Sequence, residues 1–207
     1  MDGVTINSEP LWREAEIATF KTIGLNFTEE MCKETMGMKL SEVIVYWFKK
    51  IGWTGKSILE VEKELLIHVT KLISEKGIIL DGVESSLQYF LSKKYSLALA
   101  SSSPRSLINT VLSKLNLNFY FSIVNSAEHL PYGKPHPEIY LKTAHDLNVA
   151  PDECLVIEDS WNGLLAAKSA RMKTIVVPDV ENQNHPYFSI ADFKINSLKE
   201  IKTVFGE

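Results

Sequence analysis

The chain has 207 residues, with 22 Lys and Arg against 26 Asp and Glu, a formal net charge of −4 and 45% hydrophobic residues. This length holds one large domain or a core with a smaller insert, and the mild acidity argues against general nucleic-acid affinity, which needs a basic face to displace counterions from phosphates. The longest apolar run, Val43 to Phe48, is far short of the roughly 20 residues of a membrane span, and Met1-Asp2-Gly3 lacks the basic and apolar regions of a signal peptide.

From about Ser8 to Gly77 the pattern is helical. Ser8-Glu9-Pro10 and Thr28-Glu29-Glu30 read as helix starts. Leu11, Ala15 and Ala18 share one face, with Ile17 and Phe20 beside it. Val43, Val45, Trp47, Phe48 and Ile51 form a second apolar stretch, expected to be largely buried. Ile58, Val61, Leu65, Val69, Leu72 and Ile73 form a third. After Asp81 the texture changes. Apolar β-prone runs at Tyr95–Ala100, Ser122–Asn125, Cys154–Ile157, Thr174–Val177 and, more weakly, Phe193–Ile195 alternate with helices near Pro104–Leu115, Pro137–Leu147 and Trp161–Ala170. Such alternation predicts an α/β fold with a parallel, Rossmann-like sheet covered on both faces. The expected division is a core of residues 1–6 and 81–207 with a helical insert at 7–80. Cys32 and Cys154 show no metal spacing and read as free thiols in a reducing cytoplasm.

Parallel sheets place ligands at the carboxyl ends of their strands. Ser101-Ser102-Ser103-Pro104 follows one strand; Ser103 and Pro104 suit an N-cap and first helical position, while Ser101 and Ser102 are free to form an anion site. Glu158-Asp159-Ser160 follows another. Capping is one reading, and oxygen ligands for Mg²⁺ are the other, because adjacent carboxylates repel unless a cation sits nearby. Lys134 lies in a loop stiffened by Pro135 and Pro137, so its amine can be held in place rather than merely solvated. No HExxH, GxGxxG after a strand, P-loop or GxSxG elbow is present.

Met1-Asp2-Gly3-Val4 with Asn7-Ser8-Glu9-Pro10-Leu11-Trp12, then Ser101, Lys134 in GKPHP, and Glu158-Asp159-Ser160 with Asn162-Gly163 occur in the order and spacing of the haloacid dehalogenase-like phosphohydrolases with a helical cap. The chain resembles that family over nearly its whole length, and within it the bacterial phosphatases of hexitol phosphates and 2-deoxyglucose 6-phosphate. The resemblance implies a Mg²⁺-dependent cytoplasmic phosphatase, a monomer, acting on a small phosphorylated sugar or polyol through an aspartyl-phosphate. It makes Asp2 the acid and base as well as a metal ligand through its carbonyl. Asp159 becomes a metal ligand, Glu158 a direct or supporting one, and Ser101, the Ser102 backbone and Lys134 the holders of the phosphoryl oxygens.

The family's attacking Asp stands two places before Asp2, ahead of Met1, and the apolar strand that carries it in relatives is missing from the 207 residues. In relatives this strand lies at the sheet centre, so its loss is expected to leave two unpaired strand edges. Many relatives read D-M-D-G, which aligns Met1 with an internal methionine; the expectation is a natural chain that begins about ten residues earlier, and no turnover by the 207-residue form. Two other readings stand beside this one. The first is a non-catalytic remnant or phosphate-binding module. The second is a sugar phosphomutase of the same fold, disfavoured because mutase relatives carry a His on the first cap helix where this chain has Trp12 and no His before His68. Lys39, Trp12 and Glu9 are the candidates to face the leaving group, and hinges are expected near Thr5–Ser8 and Ile78–Asp81.

Overall fold

Four helices fill the first third of the chain in the computed structural model, which describes residues 1–180 and 182–207. Helix α1 (Glu9–Lys21) has Pro10 in its first turn and Lys21 in its last, both favourable places. Thr28 caps α2 (Glu29–Glu34) by accepting from the Met31 N–H at 3.3 Å. Helix α3 is Leu40–Lys50, and α4 (Ile58–Lys76) starts in a capping box in which Ser57 and Glu60 satisfy each other's backbone N–H. Val61, Leu65, Val69 and Ile73, four residues apart, form the fully buried stripe of α4. They pack with Leu11, Ala15 and Phe20 of α1, Val43, Ile44 and Trp47 of α3, and Leu107 and Val111 further along. Phe20 stacks on Phe27 with ring centroids 4.0 Å apart, and Trp47 meets Phe27 edge-on. The second apolar stretch is less buried than its composition suggests. A helix has one inward face, so Val43, Ile44 and Trp47 take it while Phe48 and Ile51 stay exposed; Ala18 of α1 is exposed for the same reason.

The rest of the chain alternates strands and helices: α5 (Val83–Ser92), β1 (Ala98–Ser101), α6 (Arg105–Lys114), β2 (Ile123–Ser126), α7 (Glu138–Leu147), β3 (Leu155–Glu158), α8 (Trp161–Ser169), β4 (Lys173–Val176), β5 (Phe193–Lys194) and α9 (Ile201–Val204). All strand pairs are parallel. Ala98 to Ser101 lie opposite Ile123 to Ser126, Leu155 to Glu158 opposite Lys173 to Val176, and Ile175 and Val176 opposite Phe193 and Lys194. They form two sheets, β1-β2 and β3-β4-β5, and among the described residues no pair joins β1 to β3. Side chains alternate between faces as the pleat requires. Leu99, Leu155, Ile157 and Ile175 pack toward α5 and α6, whereas Ala100 and Val156 pack toward α7 and α8. This is the two-sided α/β core expected from the sequence.

The two connections between the helical segment and the α/β part run side by side. Asn7 N–H donates to Ile78 O at 3.0 Å, Leu80 N–H donates to Thr5 O at 3.1 Å, and Ile6 bridges Ile79 antiparallel. Both cysteines are free, Cys32 buried and Cys154 half-buried. No helix among the described residues is long and apolar enough to cross a membrane.

Candidate active site

One cavity of about 90 Å³ lies between α1, the 35–38 loop and the carboxyl ends of β1 and β3, and it brings together Asp2, Ser101, Ser102, Lys134, Glu158 and Asp159. Every residue chosen as a site residue from the sequence therefore lines the same space, although they span 158 positions of chain. Residues 2 and 3 sit where the two sheets come together. The Asp2 carboxylate accepts from Ser8 Oγ at 2.7 Å and Trp12 Nε1 at 3.1 Å on one oxygen, and from Ser103 Oγ at 2.8 Å on the other. Gly3, with φ +63°, lies so close to Asp159 that an added Cβ would collide with Oδ2.

At the end of β1, Ser101 is buried and its Oγ accepts from the Ser103 N–H at 3.1 Å. Ser102 Oγ donates to Gly37 O at 3.3 Å, tying this turn to the helical segment. The expected cap is not made by Ser103. Helix α6 begins one residue later, at Arg105, whose N–H is taken by Glu128 Oε2 at 3.0 Å, and the Ser103 hydroxyl goes to Asp2 instead. The charge-assisted bond to the carboxylate fixes the direction of the Ser103 hydroxyl.

At the end of β3, Ser160 is the cap of α8 and accepts from the Gly163 N–H at 3.1 Å. Glu158 is wholly engaged. Its Oε1 accepts from Lys134 Nζ and Tyr140 OH, and its Oε2 from Ser160 Oγ at 3.0 Å and the N–H groups of Asp159 and Ser160 at 3.3 and 3.4 Å. The Lys134 and Glu158 side chains are 6% and 7% exposed, so the amine is fixed rather than solvated. Burial pushes the Glu158 carboxyl up, but Lys134, the N-terminal ammonium and the Lys134 and Tyr140 hydrogen bonds outweigh it and hold it down to about 2. Burial and then Glu158 raise Asp159 well above the usual carboxylate range, and the same two causes, in the same order, raise Tyr140. Tyr140 also lies under Lys134 Nζ, 4.9 Å from ring centroid to nitrogen. Sequence reasoning missed Tyr140, which looks like any helix residue in EIYLKTAHDL.

Of the three leaving-group candidates, Trp12 and Glu9 line the cavity. Lys39 does not. Its Nζ donates to Leu130 O at 2.7 Å, beside a bond from Gly133 N–H to Glu42 Oε1 at 2.8 Å. Asn162 Nδ2 to Met36 O, at 3.3 Å, is a further tie between the two parts of the chain.

Do these donors suit a divalent cation? Five carboxylates (Asp2, Glu9, Glu16, Glu158, Asp159) and two cationic side chains (Arg13, Lys134) line the cavity. That balance repels a phosphate dianion unless more positive charge enters. Among the described residues no group of three His, Cys, Asp or Glu side chains stands ready as a metal cluster. Asp159 is nonetheless a fitting oxygen ligand. Its side chain is half-buried, takes no hydrogen-bond donor among the described residues and lies against Gly3, and oxygen donors with room for water suit Mg²⁺. Glu158 has no oxygen left for a direct bond, which leaves it the supporting alternative.

A family model described as haloacid dehalogenase-like hydrolase matches residues 1–177. Hexitol phosphatase B of Escherichia coli K12 is 38% identical over 202 residues, covering 97% of this chain and 91% of that protein. The phosphorylated carbohydrates phosphatase of Thermotoga maritima is 33% identical over 175 residues, 84% of this chain and 81% of that one. A crystal structure of β-phosphoglucomutase from Clostridium difficile superposes with a TM-score of 0.84 at 26% identity, covering 99% of this chain and 91% of its own. Match, coverage and the order of strand-end residues agree, and the chain belongs to the haloacid dehalogenase-like hydrolases.

Proposed function

We propose that this protein is a Mg²⁺-dependent phosphatase of small sugar or sugar-alcohol phosphates. The observation that carries the reading is the meeting of Asp2, Ser101, Ser102, Lys134 and Asp159 in one cavity. The similarity to phosphatases named for hexitols and phosphorylated carbohydrates supports the substrate class. In this reading the Ser101 hydroxyl, the Ser102 N–H and the Lys134 ammonium hold the phosphoryl oxygens, where negative charge spreads in the transition state. Glu158 and Tyr140 keep Lys134 in place. Ser8, Trp12 and Ser103 aim the Asp2 carboxyl, which gives a proton to the leaving alkoxide and later takes one from the water that cleaves the acyl phosphate. Mg²⁺, held by Asp159 and the Asp2 carbonyl with Glu158 in support, would neutralise phosphoryl charge.

Residues 7–80 act as a cap in this reading, moving about the paired connections at 5–8 and 78–81. Opening breaks the ties from Ser102, Asn162, Leu130 and Gly133 to the helical segment, all of which are single hydrogen bonds and inexpensive to exchange for water. The attacking carboxylate assigned by the family pattern stands two places before Asp2.

The likeness to a β-phosphoglucomutase keeps one second reading in play. Trp12, where mutase relatives carry an acid–base His, speaks against it, and His68 is turned to Thr19 Oγ1 at 2.8 Å. A phosphate-release assay over sugar and polyol phosphates with Mg²⁺ separates them. It uses a chain extended to carry an aspartate two positions ahead of Asp2. A phosphatase releases inorganic phosphate; a mutase interconverts isomers with little release, and that result would overturn the proposal.

A further inference from the structure

The phosphoryl chemistry leaves one buried group of the cavity without a task. Glu16 is 7% exposed and lies on the face of α1 that otherwise carries Leu11, Ala15 and Phe20. It lines the same cavity as Asp2, Ser101 and Lys134. Its Oε2 has no hydrogen-bond partner among the described residues. Packing gives no reason for a carboxylate here, because a buried acceptor without a donor is a net penalty on folding. The cationic side chain that α1 brings to the cavity, Arg13, is taken by Glu29 at 3.3 Å. Cys32 on α2 offers a thiol hydrogen bond, and Glu9, one helical face along, is a second acid. Burial, then Glu9, push the Glu16 carboxyl up to about 7, against the weaker pull of the Cys32 hydrogen bond. Burial pushes Glu9 to about 7 as well, with Arg13 opposing and Asp2 adding.

The cavity has two chemically distinct walls. Ser101 and Asp159 come from the strand ends and Lys134 from the loop before α7, whereas Glu9, Trp12, Arg13 and Glu16 come from α1. With the phosphoryl group on the first wall, the remainder of the ester faces the second. We propose that Glu16 is a specificity residue whose free Oε2 accepts a hydroxyl of the polyol or sugar part, so that the site takes neutral polyhydroxylated phosphate esters and turns away esters bearing a carboxylate. This inference rests on the phosphatase reading and adds a residue and a selection rule to it. A site built to accept a hydroxyl rejects analogues lacking one, because its buried acceptor stays unpaired. An incoming carboxylate meets both an acceptor with nothing to donate to it and the Glu9–Glu16 field.

The test is calorimetric titration of the 207-residue chain at pH 8.5, where Glu9 and Glu16 are ionised, with Mg²⁺ present, using sorbitol 6-phosphate, inorganic phosphate and 2-phosphoglycolate as probes. We expect the parent chain to bind sorbitol 6-phosphate more tightly than phosphate. Glu16→Leu should weaken sorbitol 6-phosphate by roughly tenfold to a hundredfold, the worth of a hydrogen bond to a charged acceptor. It should leave inorganic phosphate unchanged and tighten 2-phosphoglycolate. Glu16→Gln, which keeps an acceptor oxygen, should fall between. Glu16→Leu should melt higher than the parent by roughly 2–4 °C, because an unsatisfied buried group is removed. Equal weakening of sorbitol 6-phosphate and phosphate, no weakening of either, or a lower melting midpoint in Glu16→Leu overturns the inference and leaves the phosphatase reading standing. Failure of the parent chain to bind inorganic phosphate overturns the phosphatase reading and this inference with it.

Discussion

Replacing Lys134 with Met tests whether the phosphate-facing amine is locked by its partner. The Lys134 and Glu158 side chains are 6% and 7% exposed, and four other donors reach the same carboxylate: Tyr140 OH, Ser160 Oγ and the N–H groups of Asp159 and Ser160. Methionine matches the stem in length and leaves the cavity wall intact, so lost packing is small. What changes is charge. Glu158 is left buried with hydrogen bonds and no cation, a situation that costs about 3–5 kcal/mol. For a chain of this size that lowers the melting midpoint by roughly 6–20 °C at 2–4 °C per kcal/mol. Urea unfolding followed by circular dichroism should show a lower midpoint at unchanged slope, which marks lost stability rather than a changed unfolded state. Lys134→Met with Glu158→Gln should recover most of the loss, since no charge is then stranded. If Lys134→Met alone unfolds within about 1 kcal/mol of the parent, the buried pair is not what fixes Lys134, and the account of the phosphate cradle fails.

Three further outcomes follow from the same geometry. The Glu16 carboxyl sits at about 7 in the folded chain against an ordinary 4.5, so the native state binds the extra proton between those values. Its contribution is therefore harmless below pH 4.5, becomes a penalty that grows between 4.5 and 7, and levels off above 7 at roughly 3 kcal/mol. Glu9 adds to the same trend, and Glu16→Gln should show a flatter melting profile between pH 5 and 8; parallel profiles would contradict the burial argument. Mg²⁺ should raise the parent melting midpoint, by an amount set by about 2.7 kcal/mol at a hundredfold excess over Kd, and should do nothing for Asp159→Asn; equal shifts would remove Asp159 as a ligand. Gly163→Ala drives a Cβ into the Glu158 carboxyl group, so it should cost roughly 1–3 kcal/mol by overpacking in a denaturation series, and a neutral result would show that α8 shifts freely.

The strand positions were legible because each strand carries β-prone apolar residues, such as Leu99, Val124, Val156 and Ile175, between helical stretches, and the observed strands start within three residues of the expected ones. Helix α5 was not, although Val83, Tyr89 and Phe90 turn inward; Ser85 and Ser86 in its first turns are poor helix formers and blur the pattern. The site residues were legible as strand-end polar groups. Their pairings were not. Lys134 meets Glu158 from 24 positions away, and Ser103 meets Asp2 from 101. Local propensity gives Ser103 to the helix start, and only the fold brings the carboxylate that claims it. Glu16 could have been noticed, since a carboxylate between Ala15 and Thr19 interrupts an apolar stripe. Periodicity registers such a residue only as noise.

The account's central claim is that this cavity hydrolyses polyol or sugar phosphates with an upstream carboxylate as the attacking group. The direct measurement is Mg²⁺-dependent phosphate release from sorbitol 6-phosphate and related esters by the chain carrying a strand that ends in an aspartate two positions before Asp2. The account predicts release from that chain and its loss in Asp2→Asn. No release from it, or release undiminished by Asp2→Asn, would contradict the account.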